Sequence, residues 1–382
     1  MYSFIAWLYW NPPKNVFTIP YLDRPIAWYG LLFVTGFILG YFVLIPILSR
    51  FLRQSKTINP IDVCNWPLLV QQLAHAQPSQ SQIVNAIFKN LDSTQRSKIQ
   101  SEKLDPSLKQ EILKAINSYW NSHELTREEI EKAFPGAITP VSQISHFLAD
   151  RVIWFIVAGT LIGARLGDVF FYDWGYYKNH LMEIFKVWNG GLASHGGTIG
   201  VFISLYLYLL YVKKWIPTFT FLTVLDCVVI PTPLACVFIR LGNFVNQEIL
   251  GTPTELPWAV IFGHPVDGIP GVPRHPVQLY EALSLLVTFI ILYTIWKKNW
   301  AKIGSGFFAG LMFVLIFLSR FILEFWKETQ ESILDSSMIQ MGQLLSLPFV
   351  ALGLFLIWCS LKKKHLYFDR HKQVIKIKTN DS

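Results

Sequence analysis

Trp28-Tyr29-Gly30-Leu31-Leu32-Phe33-Val34-Thr35-Gly36-Phe37-Ile38-Leu39-Gly40-Tyr41-Phe42-Val43-Leu44-Ile45-Pro46-Ile47-Leu48 carries no charged side chain, and none lies between Arg24 and Arg50. A helix crossing the hydrocarbon core needs about 20 mostly apolar residues, and this stretch supplies them. Six further stretches repeat the pattern, at roughly 148–171, 196–212, 221–243, 277–296, 304–325 and 341–361. Of the 382 residues 52% are apolar and only 15% charged, where a soluble domain carries roughly 25% charge. The chain therefore reads as an all-α polytopic membrane protein with seven transmembrane helices. A disordered tail, a collagenous repeat and a disulfide scaffold are excluded. The four cysteines, Cys64, Cys227, Cys236 and Cys359, have no metal-ligand spacing. The last three lie in apolar runs as small hydrophobes. The N-terminus lacks a positive n-region, so no cleaved leader is expected.

The net charge of +8 has to be read by position. Lys and Arg gather after alternate spans: Arg50, Arg53 and Lys56, then Lys213 and Lys214, then Lys297, Lys298 and Lys302, then the tail from Lys362. Basic connections are cytoplasmic, which puts the N-terminus outside and the C-terminus inside. The excess is topology, not nucleic-acid binding. Residues 54–146 interrupt the pattern with nine Lys/Arg against nine Asp/Glu. Leu104, Leu108, Ile112 and Ile116 recur at helical spacing. Thr126-Arg127-Glu128-Glu129 has capping-box spacing and predicts a short helix ending before Pro135. Gln77 to Gln82 reads as a linker. The organisation expected is a first segment and span at 1–53, a small helical cytoplasmic insertion at 54–146 with an unknown partner, a six-helix core at 147–361, and a basic tail at 362–382.

Ionisable groups at membrane depth are costly and mark function by default. On the seven-span topology most of them fall toward the outer side: Tyr29, Arg165 and Asp168, His195, Arg240 to Glu248, Arg274 to Glu281, and Arg320 with Glu324. Several have bland alternatives. Arg320 and Glu324 are i, i+4 and fit a helix-stabilising pair. The glycines at 190, 191, 196, 197 and 200 fit close helix packing or a turn as well as an anion site. Tyr280 fits an interface anchor. Arg240 is harder to dismiss, because a guanidinium at that depth needs an acidic partner or an anionic ligand. Asp226, fourteen residues earlier, would lie nearly four turns away on the same helix and is no simple partner.

Three chemistries compete. A serine triad lacks a GxSxG elbow. A metal site built from His195, His264, His275, Asp267 and Glu248 lacks close ligand spacing, so no metal or other cofactor is expected. An anion site for a phospholipid head group fits best: arginines hold phosphate, Asn and Tyr bind hydroxyls, and a His or carboxylate handles protons. A transporter would spread its polar residues through the midplane instead.

Eight motifs in order resemble the prolipoprotein diacylglyceryl transferase family, over about residues 20–53 and 147–361. They are Trp28-Tyr29-Gly30-Leu31, Gly163-Ala164-Arg165-Leu166-Gly167, the glycine-rich segment around His195, Arg240-Leu241-Gly242-Asn243-Phe244-Val245-Asn246-Gln247-Glu248, Pro257 to Phe262, Arg274 to Glu281, Arg320 to Phe325, and Met341 to Pro348. The resemblance implies transfer of the diacylglyceryl group of phosphatidylglycerol to the lipobox cysteine of a prolipoprotein signal peptide, within membrane lipid. It implies Arg240 and Arg320 on the phosphate and His195 as base or proton carrier. Tyr29, Arg165, Asp226, Asn243, Asn246, Glu248, Gly251, His275, Tyr280 and Glu324 would bind substrate. The chain departs from the pattern at the long insertion, at Ile239, at Gln247 where glycine is common, at Asp168, at Thr252, and after Glu324, where Phe325-Trp326-Lys327-Glu328 lacks a second arginine. A divergent paralogue or a non-catalytic lipid-binding protein is the alternative.

Overall fold

A computed structural model describes residues 7–20, 24–54, 64–77, 81–101, 105–122, 127–186, 190–191, 193–216, 218–328 and 340–362. The chain is mostly helical. In order run β1 (Leu8–Trp10), β2 (Asn15–Ile19), β3 (Arg24–Ala27), α1 (Trp28–Gln54), α2 (Trp66–His75), α3 (Gln82–Asn90), α4 (Ser93–Gln100), α5 (Pro106–Ser122) and α6 (Arg127–Ala133). Then follow α7 (Val141–Phe171), α8 (Trp174–Tyr177), α9 (Ser194–Val212), α10 (Phe221–Val229), α11 (Thr232–Asn246), β4 (Val260–Phe262), β5 (Pro273–Arg274), α12 (Val277–Asn299), α13 (Phe307–Leu323) and α14 (Met341–Lys362).

Among the described residues six helices are long and apolar enough to cross a membrane, and a seventh span arises if the bent pair α10–α11 counts as one. That pair corrects the straight span expected at 221–243: the two helices meet at 48°. Pro231 and Pro233 flank the break. Neither has an N–H to continue the ladder, and proline is favoured where a new helix starts. Asp226 and Arg240 thus stand on different helices, not on one.

The described chain forms two compact units. The first comprises residues up to Leu44 and from Thr220 onward. Its helices α13 and α14 approach through Gly310 and Gly353, where a Cβ on Gly310 would come 2.7 Å from the Gly353 carbonyl oxygen. Two small sheets, absent from the all-helical expectation, complete it. β1 pairs in parallel with β4, β4 pairs antiparallel with β5, and β2 pairs antiparallel with β3. Strands of two to five residues are too short for alternation to announce them.

The second unit runs from Ile45 to Phe219. Its insertion helices α2 to α6 close over their own apolar core, in which Leu73, Ile87, Leu108 and Ile112 are fully buried. The side chains of Asn65, Ser81 and Asp92 cap α2, α3 and α4, as expected of residues that accept from orphan N–H groups. Leu108, Ile112 and Ile116 line one face of α5, and α6 spans the predicted short helix; Leu104 and Thr126 lie outside the described residues. Gln82 is helical rather than linker, because Ser81 caps α3 just before it. Helices α7 and α9 meet through Gly159, Gly163 and Gly167 on one side and Gly196, Gly200 and Ser204 on the other. Small residues at every fourth position let the two backbones touch.

Candidate active site

The last turn of α11 puts Arg240 and Asn243 on one face, three residues apart. The helix then stops at Gln247, a left-handed C-cap with φ 57°. That backbone explains why glycine is common there: L-residues pay for it, glycine does not. Gln247 offsets the strain with its side chain, which accepts from the His264 N–H at 2.6 Å and donates to Asn11 at 3.4 Å. Ile249 is also left-handed, φ 58°, a rare state for a β-branched residue. The two unusual residues turn Glu248 back toward the helix. Its carboxylate accepts from Asn243 Nδ2 at 3.1 Å and Asn246 Nδ2 at 3.0 Å. Backbone strain of this kind collects at functional sites.

Helix α12 adds Gln278, which donates to the Glu248 carbonyl at 2.6 Å, and Glu281. The Glu281 Oε2 lies 3.1 Å from Arg240 Nε yet accepts no hydrogen bond among the described residues. The contact is an ion pair off the N–H axis. Arg240 also donates to Asn243 Oδ1 at 3.3 Å. Glu281 Oε1 lies 3.7 Å from Lys327 Nζ, which stands 3.9 Å from Glu324 Oε2. Lys327 is pinned by a backbone bridge to Gly251. A Cβ on Gly342 would strike the Glu324 carboxylate, so that glycine leaves it room. His275 contacts Tyr280 through Nδ1 and the phenol oxygen at 3.2 Å, and Trp258 donates to the same oxygen at 2.7 Å. Burial holds the His275 imidazole below its usual pKa of 6.5. Arg274 bridges Asp267 at 2.6 Å and Glu328 at 2.5 Å. Tyr29 packs its ring against Gly242, where a Cβ would stand 2.7 Å away.

The first unit therefore joins Tyr29, Arg240, Asn243, Asn246, Glu248, Gly251, His275, Tyr280 and Glu324 in one run of contacts. Asp226 is not among them, a correction to its expected place. It is fully buried and accepts from the backbone N–H groups of Gly304, Gly306 and Ala309 at 2.8–2.9 Å, capping the start of α13. Arg320 lies near the other end of that helix, about 20 Å away at 1.5 Å per residue. The Arg320–Glu324 helix pair also gives way: α13 ends at Leu323 and Glu324 turns to Lys327. Arg320 is exposed, with no partner among the described residues. Lys327 was not singled out from sequence as a site residue, and Gln278 and Glu281 were named only among the costly groups that open their span, with no role. Their signal was a carboxylate and an amide three residues apart at the start of an apolar span, which need polar partners.

In the second unit His195 is exposed in the first turn of α9. Arg165 is buried and donates to the carbonyls of Glu183, Ile184, Gly190 and Gly191 at 2.6–3.1 Å. Asp168 lies 3.6 Å from it. No cluster of metal-ligating side chains occurs among the described residues.

The model of the family described as prolipoprotein diacylglyceryl transferase matches residues 119–359. The chain belongs to the prolipoprotein diacylglyceryl transferase family. A relative from Protochlamydia amoebophila (strain UWE25), named phosphatidylglycerol–prolipoprotein diacylglyceryl transferase, is 52% identical over 93% of this chain and 95% of its own length. Proteins of the same name from Tolumonas auensis and Chlamydia pneumoniae are 42% and 43% identical, each over 56% of this chain and 80% and 73% of their own. A match over 93% must take in most of the insertion, so the Protochlamydia transferase shares it.

Proposed function

We propose that this multi-pass membrane transferase moves the diacylglyceryl group of phosphatidylglycerol onto the lipobox cysteine of a prolipoprotein. The cysteine sulfur attacks the glyceryl carbon that carries the phosphate. A C–S thioether bond forms, the C–O bond breaks with its electron pair on oxygen, and glycerol phosphate leaves. Arg240 and Arg320 neutralise the charge that grows on the departing phosphate. His195 takes the thiol proton, a modest task since a free thiol ionises near 8.5. Asn243, Asn246, Glu248 and Tyr29 bind the glycerol hydroxyls of the head group, and Gly251, His275, Tyr280 and Glu324 line the same pocket. By the positive-inside rule this pocket faces the periplasm and the C-terminus the cytoplasm.

One observation carries the reading: Arg240 rests against Glu281 without a hydrogen bond there. One hydrogen bond, to Asn243 Oδ1 at 3.3 Å, and the ion pair orient the guanidinium, and its other donors stay free for a phosphate. Purified protein, phosphatidylglycerol and a lipobox peptide should yield a peptide heavier by one diacylglyceryl group in mass spectrometry. Arg240→Ala should cut the rate about 10²–10³-fold, the usual cost of removing one charge-stabilising donor. Full activity of that variant would refute the phosphate role.

A further inference from the structure

We infer that Arg165 is a positioning residue: it staples the glycine turn ahead of α9 and thereby fixes His195, rather than touching lipid. The inference rests on reading His195 as the proton carrier. Arg165 is 4% exposed. Its Nε donates to Ile184 O at 2.9 Å, one terminal nitrogen to Gly190 O and Gly191 O at 2.7 and 3.1 Å, and the other to Glu183 O at 2.6 Å. The Tyr177 ring covers its face at 4.9 Å. A phosphate would have to strip away carbonyls that already hold most of the five donors.

Gly190, Gly191 and Ala193 are each tied to α7. Gly191 has φ 70°, and a Cβ there would strike Asp168 and Arg165. The Ala193 N–H donates to the Ala164 carbonyl at 2.9 Å. Gly196 meets the backbone of Gly163 and Gly167 so closely that no Cβ fits. The residues just before and just after His195 are thus tied to α7, while the imidazole is exposed and has no hydrogen-bond partner among the described residues. A side chain open to substrate on a clamped backbone is what a proton carrier needs, since misplacement by about 1 Å can cost 10²-fold in rate. Asp168 supplies the counter-charge at 3.6 Å, in a chain that departs from its family at that position.

The test is a double-mutant cycle on the full-length protein in phosphatidylglycerol nanodiscs, with two readouts: transfer to a lipobox peptide and deuterium exchange at the amides of Gly191 and Ala193. Arg165→Lys should lower kcat about 10- to 100-fold, leave KM for phosphatidylglycerol unchanged and speed the exchange. In a His195→Gln background it should add less than about twofold, because coupled residues are not additive. Gly191→Ala disturbs the same turn with Arg165 intact and should reproduce the kcat loss if Arg165→Lys fails to fold. Additive losses, a raised KM with kcat intact, or unchanged exchange would each overturn the inference. Full activity of His195→Gln alone would remove the proton-carrier reading and the catalytic half of the inference with it; the exchange readout would still decide whether Arg165 holds the turn.

Discussion

Glu281 holds two cations by different means: Arg240 at 3.1 Å and Lys327 at 3.7 Å. Removing its charge takes the carboxylate from Arg240 and leaves Lys327 with Glu324 alone, at 3.9 Å, in a site that is largely closed to water. Breaking a buried pair costs about 3–5 kcal/mol, and the partial exposure of Arg240, 25%, places this one at the low end. Glu281→Gln should therefore lower the melting temperature and reduce kcat by at least about tenfold, as kinetics on the detergent-solubilised protein would register; a wild-type rate would leave Glu281 a spectator. His275 has the opposite electrostatic problem. Burial favours its neutral form, so the unfolded chain binds a proton at a higher pH than the native chain does. Its contribution to stability is complete above the unfolded value of 6.5 and declines as the pH falls toward the lower native value. Melting curves between pH 7.5 and 5 should show a shallower acid loss in His275→Gln than in wild type. Arg240, Asn243 and Glu248 were legible in the sequence because one short segment carries them all. The pairing of Glu281 with Lys327 was not, since only the fold brings α12 and the turn after α13 together. Gln247 departs from the glycine common in the motif, and its side-chain bonds to His264 and Asn11 offset the strain of its left-handed backbone.

Glycine does two different jobs among the helices, and the coordinates separate them. In α9, a Cβ on Gly200 would collide with the Gly159 carbonyl of α7. In α1, a Cβ on Gly30 would meet nothing within 4 Å. Gly200→Val should force the α7–α9 pair apart and cost about 1–3 kcal/mol or more, seen as a lower melting temperature and loss of monodisperse protein. Gly30→Ala should be neutral or raise stability by about 0.5–1 kcal/mol, through lower unfolded-state entropy. Equal effects at the two sites would mean that backbone contact does not hold α7 against α9. The existence of each span was plain from its length of mostly apolar residues, whereas the break in α10–α11 was not. Hydropathy averages over Pro231 and Pro233, and only their missing N–H groups end one helix and start the next. The role of Asp226 escaped for the same reason: capping a helix that begins some eighty residues later leaves no local trace.

At the scale of the molecule the insertion helices share an apolar core within one compact unit, and the polar network of Arg240 belongs to the other unit. On the proposed orientation the basic connections that bracket the insertion are cytoplasmic. Relatives 42–43% identical match only 56% of this chain while covering 73–80% of themselves, so the family carries transfer chemistry without need of so long a connection. Deleting residues 57–145 should therefore leave transfer to a lipobox peptide within about threefold of wild type, because loop length changes closure entropy only slowly. The same topology predicts that protease added to sealed, right-side-out membranes spares the insertion, and that opening the membranes exposes its linkers. If the shortened chain stays folded but stops transferring, the reaction needs the insertion, and cleavage from outside would reverse the proposed orientation. Loss of a cytoplasmic partner with transfer intact would make the insertion a docking module, a role for which its neutral balance of nine basic and nine acidic residues sets no preference of charge.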